Sequence, residues 1–170
     1  MIAMKMSEEL ETAFVQQITR EYEAAFLYRQ LAAELELRDL PGMATWFRRH
    51  AEIELGHADR LIKHLTDRRN HPVIGDISLP SIKLETVAEA FQIALDAERE
   101  VSEAIRALCR LADAQHDYDS RPVIDWFITE QIGEEATVSE VLGRVTLVDD
   151  DGSGLLFLDA ELAGDDPDQE

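Results

Sequence analysis

Cysteine is nearly missing from this chain of 170 residues: Cys109 stands alone, which excludes an intrachain disulfide and any zinc or rubredoxin-like site built from several thiolates. Proline (5), glycine (8) and aromatic residues (6%) are also scarce, which argues against a turn-rich β-sandwich. No run of 18 apolar residues could span a bilayer, and Met1-Ile2-Ala3-Met4-Lys5-Met6 lacks the apolar stretch of a secretory signal, so a cytoplasmic protein is expected. Positive charge is the last shortage. Lys and Arg number 16 against 36 Asp and Glu, a formal charge of -20. Such a surface repels phosphate backbones and anionic lipid heads, so neither nucleic acid nor membrane is expected as a partner. Cations are.

What is present has helical period. Ser7 to about Leu37 has no Gly or Pro and places Leu10, Phe14, Ile18, Ala25, Tyr28 and Ala32 on one face. After Asp39-Leu40-Pro41-Gly42 a second stripe runs through Met43, Phe47, Ala51, Ala58, Leu61 and Leu65 to about Arg69. Asn70 to Leu84, with Pro72, Gly75 and Pro80, shows no period and is long enough to cross over along a bundle. Thr86 and Glu89 fit a capping box opening a third helix, with Phe91, Ala94, Val101, Ile105 and Leu108 inward. Ser120 and Pro122 open a fourth, with Ile124, Phe127, Val138, Val141 and Val145 inward, and Leu155-Leu156-Phe157-Leu158 allows a short fifth. The expected fold is an all-α four-helix bundle over about 7–147, with a long crossover between the second and third helices. A C-terminal fifth helix at about 154–163 completes one domain over 1–163, and an acidic tail follows at 164–170.

Each stripe skips a beat, and the skipped beats are polar. Glu21 falls on the buried face of the first helix, Glu54 and His57 on that of the second, Glu98 on the third, and Gln131 and Glu134 on the fourth. Counting outward from the turns at Arg38–Pro41 and Gln115–Ser120 places all six groups roughly 25 Å from their own turn, at 1.5 Å per residue. They can therefore meet in one layer. Four carboxylates in an apolar layer repel one another and lose hydration, so they must be protonated, solvated or neutralised by cations. Two divalent ions balance Glu21, Glu54, Glu98 and Glu134, with His57 and Gln131 as neutral ligands. Carboxylates with one imidazole suit Fe(II) or Mn(II), with Zn(II) a competitor, and Glu-x-x-His with a Glu from neighbouring helices is a known di-metal plan of bundles.

These residues resemble the bacterial non-haem ferritins over most of the chain. The resemblance rests on Glu21-Tyr22 with Tyr28, Trp46-Phe47, Glu54-Leu55-Gly56-His57-Ala58, Glu98, Trp126-Phe127, Glu130-Gln131 with Glu134, and Gly154-Leu155-Leu156-Phe157-Leu158-Asp159 before Glu161-Leu162. It implies a ferritin-like fold and a di-iron ferroxidase centre ligated by Glu21, Glu54, His57, Glu98, Gln131 and Glu134, with Tyr28 able to donate an electron. It further implies that Fe(II) is oxidised by oxygen or hydrogen peroxide and stored as ferric mineral in a shell of twenty-four identical subunits. The family's accessory third iron site uses three glutamates; here one matches Glu130, and the others fall on Ile53 and Gly133. Bacterioferritins bind haem through a methionine that Leu55 replaces, so no haem is expected.

Plainer readings stand beside these. A buried Gln131 also serves as a hydrogen-bonding group, and Tyr28 as a core aromatic. His50, His57, His64 and His71 recur every seven residues, but only His57 is matched in level by carboxylates on every other helix. Cys109 reads as a small buried hydrophobe. The alternatives for the whole chain are a bacterioferritin-type or other di-iron carboxylate oxidase, or a non-enzymatic acidic helical interaction module.

Overall fold

The computed structural model describes residues 5–149 and 151–164. Among them are α1 (Glu8–Glu36), α2 (Pro41–Asp67), α3 (Val87–Ala114), α4 (Arg121–Val148) and α5 (Gly152–Gly164), with a 3-10 turn at Tyr118–Ser120 and no strand. The four expected long helices are present within a residue or two of their expected limits, and α5 starts two residues earlier than expected. Most of the expected acidic tail lies outside the described residues.

The helix ends follow from local chemistry. Ser7 Oγ accepts the Leu10 N–H at 3.1 Å. Thr86 Oγ accepts from Glu89 N at 3.3 Å while the Glu89 carboxylate accepts the Thr86 N–H at 3.4 Å, which completes the expected capping box. Ser120 departs from expectation: its hydroxyl does not cap α4 but donates to Asp117 at 2.5 Å and accepts from Arg68 at 2.9 Å. Three helices close through left-handed residues that are not glycine, Asp39 (φ 58°), Arg69 (φ 61°) and His116 (φ 55°). Each is followed by a backbone bond to the last turn: Leu40 N to Leu35 O at 3.1 Å, Asn70 N to Leu65 O at 2.9 Å, and Asp117 N to Ala112 O at 2.9 Å.

α1 pairs mainly with α2, and α3 with α4. The crossover is tied to α1 by Gly75 N donating to Thr19 Oγ1 at 3.0 Å and Ser78 N donating to Glu23 Oε1 at 3.2 Å. The apolar interior falls into two clusters. One joins the second halves of α1 and α4 to the first halves of α2 and α3 and to α5, around Tyr28, Trp46, Phe47 and Phe91. The other joins the opposite halves around Phe14, Leu61, Ile105 and Phe127. Between them lies the polar layer. Cys109, expected to be buried, is only half-buried and packs at the edge of the second cluster, because its turn of α3 faces partly outward.

The seat of α5 is the feature the sequence did not disclose. Leu40 gives α2 no side-chain cap; instead Asp159 of α5, buried, accepts the Met43 N–H at 2.7 Å. Gly42 makes this approach possible, since a Cβ there would lie 1.9 Å from the Asp159 carbonyl oxygen. Gly42→Ala is expected to push α5 off α2 and destabilise the fold by about 2 kcal/mol. Asp159→Ala, which removes only the cap, should cost about 1 kcal/mol. Urea denaturation measures both, and a Gly42→Ala protein as stable as the parent would contradict this packing.

Candidate metal centre

All six expected residues lie inside the bundle at one level, with exposures of 0% for Glu21, 1% for Glu54 and Glu98, 3% for His57 and Gln131, and 7% for Glu134. Their side chains converge from four continuous helices, so their spacing is set by packed backbone. Glu54 Oε2 lies 3.0 Å from His57 Nδ1, and Glu21 Oε2 lies 3.7 Å from the same nitrogen. Ligand atoms of Glu21, Glu54 and His57 fall within 4.8 Å of one another, as do those of Glu54, Glu98 and Glu134, and those of His57, Glu130 and Glu134. Glu54 is common to the first two groups. A carboxylate shared in this way could serve two cations at once.

The donors fit cations because their acceptor atoms are not used up. Glu21 Oε2, Glu54 Oε1, His57 Nε2 and Gln131 Oε1 are buried and make no hydrogen bond. Unsatisfied polar atoms at this density are costly in an apolar interior unless a ligand completes them. Gln131 points its amide nitrogen at Glu98 Oε2 (3.0 Å), the Glu98 carbonyl (3.2 Å) and Ser102 Oγ (3.2 Å), which leaves its carbonyl oxygen open toward the layer. Of the two roles left open by the sequence, the hydrogen-bonding one is filled, and the carbonyl oxygen is left without a partner.

Around the six stand groups that hold them. The Tyr28 hydroxyl donates to Glu98 Oε1, and its ring, fully buried, packs edge-on to Phe47 at 5.6 Å between centroids. Gln17, one turn before Glu21, donates to Glu21 Oε1 at 2.7 Å. Trp126 and Phe127 each lie 5.6 Å from the His57 ring in T-shaped contact, and the Arg60 guanidinium covers Trp126 at 3.8 Å. Sequence reasoning missed Gln17 and Ser102. Gln17 leaves a signal, a polar residue four before Glu21 on the same buried face, whereas Ser102 is too small to mark a phase.

His50 and His64 are engaged away from the layer. His50 Nδ1 bonds the Trp46 carbonyl at 2.9 Å and stacks on the indole, and His64 Nε2 meets Ser120 Oγ at 2.9 Å. Glu130 is partly exposed at the edge of the layer, with Oε1 3.8 Å from His57 Nε2. Ile53 contributes only a half-buried apolar side chain, and Gly133 is exposed with open space where a Cβ would stand.

Residues 11–148 match the ferritin-like domain family. The chain belongs to that family. It is 30% identical to the bacterial non-heme ferritin of Escherichia coli O6:H1 over 163 residues, 96% of each chain. It is also 30% identical to that of Staphylococcus epidermidis over 158 residues, 93% of this chain and 95% of the other. Two solved structures of Archaeoglobus fulgidus ferritin, an open-pore form and an engineered closed form, superpose with a TM-score of 0.92 at 27% identity. They cover 95% of this chain and 100% and 99% of theirs.

In this ferritin-like layer the protein's own titrating groups are strongly displaced by one another and by burial. Burial pushes Glu54 well above the carboxylate range, aided by the charge of Glu98, and burial raises Glu98 in spite of hydrogen bonds from Tyr28 and Gln131. Burial and the charge of Glu98 push Glu134 up to about 7. Burial alone would lower His57, but the close Glu21 and Glu54 carboxylates, the second hydrogen-bonded to it, and their negative charge prevail and hold it up at about 11. Burial also raises the Tyr28 phenol, with Glu98 and Glu54 adding to it.

The sign of the resulting pH dependence is fixed. An unfolded Glu134 ionises near 4.5 whereas the folded one keeps its proton to about 7. Stability is therefore complete below 4.5 and lost as pH rises through about 7, by a total on the order of 3 kcal/mol. His57 works in the same direction, losing its contribution between 6.5 and about 11. The cation-free protein should thus melt lower at pH 8 than at pH 5, and Glu134→Gln should flatten that slope. Equal slopes for parent and variant in calorimetry would refute the assignment.

Proposed function

We propose that this chain is the subunit of an iron-storage ferritin that oxidises Fe(II) within its bundle. The observation that supports the reading is the buried layer itself: three overlapping groups of ligand atoms, each within 4.8 Å, with four buried polar atoms left without a hydrogen-bond partner. Glu21, Glu54 and His57 Nδ1 hold one Fe(II), and Glu98, Glu134 and Gln131 Oε1 hold the second, with Glu54 shared. Two Fe(II) bound together give up two electrons together to oxygen or hydrogen peroxide, which avoids one-electron products in solution. Tyr28, hydrogen-bonded to Glu98, is read as the group that gives a further electron to the same oxidant, its phenolic proton passing to the Glu98 carboxylate. The carboxylates favour the product, since Fe(III) bears more charge than Fe(II) and gains more from them.

The stored product is ferric mineral, held in a shell of twenty-four subunits. Both comparison groups are ferritins, and α5 supports an assembled state because Leu156 (63% exposed) and Phe157 (68%) face away from the bundle. Leu55 offers no thioether, so the shell carries no haem. Among the described residues no helix is long and apolar enough to cross a membrane, in keeping with iron storage in the cytoplasm.

Glu54→Ala and His57→Ala are each expected to lower the initial rate of Fe(II) oxidation by more than about tenfold, since loss of groups that merely support ligands already costs that much. A parental rate in both, followed optically, would sink the reading. Sedimentation is expected to give a mass many times that of one chain, reduced when residues 153–170 are deleted. With -20 on each subunit, assembly should strengthen with salt, which shortens the reach of the repulsion; a monomer at every ionic strength would exclude the shell.

A further inference from the structure

His57 presents its two nitrogens to different surroundings. Nδ1 faces Glu54 Oε2 at 3.0 Å and Glu21 Oε2 at 3.7 Å. Nε2, buried with the ring, makes no hydrogen bond, and Glu130 Oε1 stands 3.8 Å from it. An imidazole that gives its Nδ1 lone pair to a cation carries its remaining proton on Nε2. That N–H, buried and facing Glu130, requires an acceptor, which in metal sites is commonly a carboxylate.

We propose that Glu130 is a positioning residue: its carboxylate accepts the His57 Nε2–H, fixing the tautomer that presents Nδ1 to Glu21 and Glu54, and it is not a ligand of a third ion. This rests on the iron-oxidation reading of the same layer. The gap is closed from the Glu130 side. The His57 ring is held between Trp126 and Phe127, each at 5.6 Å, and Trp126 is itself covered by Arg60. Glu130, by contrast, is about one-third exposed, and a movement of about 1 Å brings it to hydrogen-bond distance.

A third ion among His57, Glu130 and Glu134 is disfavoured by proton accounting. With one cation already on Nδ1, a second on Nε2 would require the ring to surrender its last proton and bridge as an anion. Glu134 is already within reach of Glu54 and Glu98. Ile53 is apolar and Gly133 has no side chain, so neither neighbouring position offers a further donor.

The test is an anaerobic titration of the cation-free, full-length protein with Co(II), read by its visible d–d absorption, for the parent, Glu130→Gln and Glu130→Ala. Melting temperatures of the cation-free forms serve as the control for folding. All three are expected to break at two Co(II) per chain. Glu130→Ala should bind one of the two about tenfold more weakly, with a changed spectrum. Glu130→Gln, whose amide oxygen still accepts the Nε2–H hydrogen bond, should stay within about threefold of the parent.

A third equivalent in the parent that both variants lose would make Glu130 a ligand and overturn the proposal. So would Glu130→Ala with the parental affinity and spectrum, or Glu130→Gln weakened as much as Glu130→Ala. A parent that binds no Co(II) at all would instead overturn the iron-oxidation reading, and this inference with it.

Discussion

Four carboxylates buried at one level are the constraint on which the rest of the structure depends. Taken out of water and set beside one another, they raise the free energy of the cation-free fold, as the upward displacement of Glu54, Glu98 and Glu134 shows. Protonated His57, held between Glu21 and Glu54, offsets part of that repulsion. The remainder is carried by the two apolar clusters on either side, which keep the helices together whether or not the layer is neutralised. The same packing prevents the carboxylates from swinging apart to find water, so the repulsion stays at the site.

The length and order of the helices follow from that arrangement. A polar layer inside a bundle needs apolar turns above and below it, and helices of 27 to 29 residues provide roughly three to four turns on each side. Antiparallel pairs joined by short turns place α1 level with α2 and α3 level with α4. The crossover then sets one pair against the other. Its fastening to Thr19 and Glu23 runs beside the Glu21 turn of α1, so the connection also braces a helix that contributes a layer residue.

Most of this was legible because helical phase is a property of sequence. Glu21, Glu54, His57, Glu98, Gln131 and Glu134 each interrupt an apolar stripe, and an interruption on the buried face is visible without any knowledge of neighbouring helices. The helix closures at Asp39, Arg69 and His116 were harder, since a left-handed closing residue is usually announced by glycine. Asp159 and Gly42 were illegible for a different reason: a cap supplied from a distant helix leaves no local pattern, and Gly42 beside Pro41 reads simply as part of a turn. The role of Glu130, which the family resemblance matches to one glutamate of an accessory iron site, could not be settled from phase alone. Its phase puts it beside the layer, but whether it faces a cation, solvent or the far side of His57 depends on the packing of α2 against α4.

The layer also shows why rigid helices suit this chemistry better than loops would. Gln131 can keep its carbonyl oxygen open only because Glu98 and Ser102, both on α3, hold its amide nitrogen. Glu21 keeps Oε2 open because Gln17, one turn away on the same helix, holds Oε1. In each case one polar atom of a side chain is fixed by a neighbour and the other is left exposed to the layer. That division requires positions accurate to a fraction of an ångström, and packed helices maintain it before any ion arrives, so binding does not bear the cost of ordering the ligands. The atoms without partners are therefore held in place by the hydrogen bonds of the other polar atom on the same side chain, the arrangement that suits a layer of carboxylates to cations.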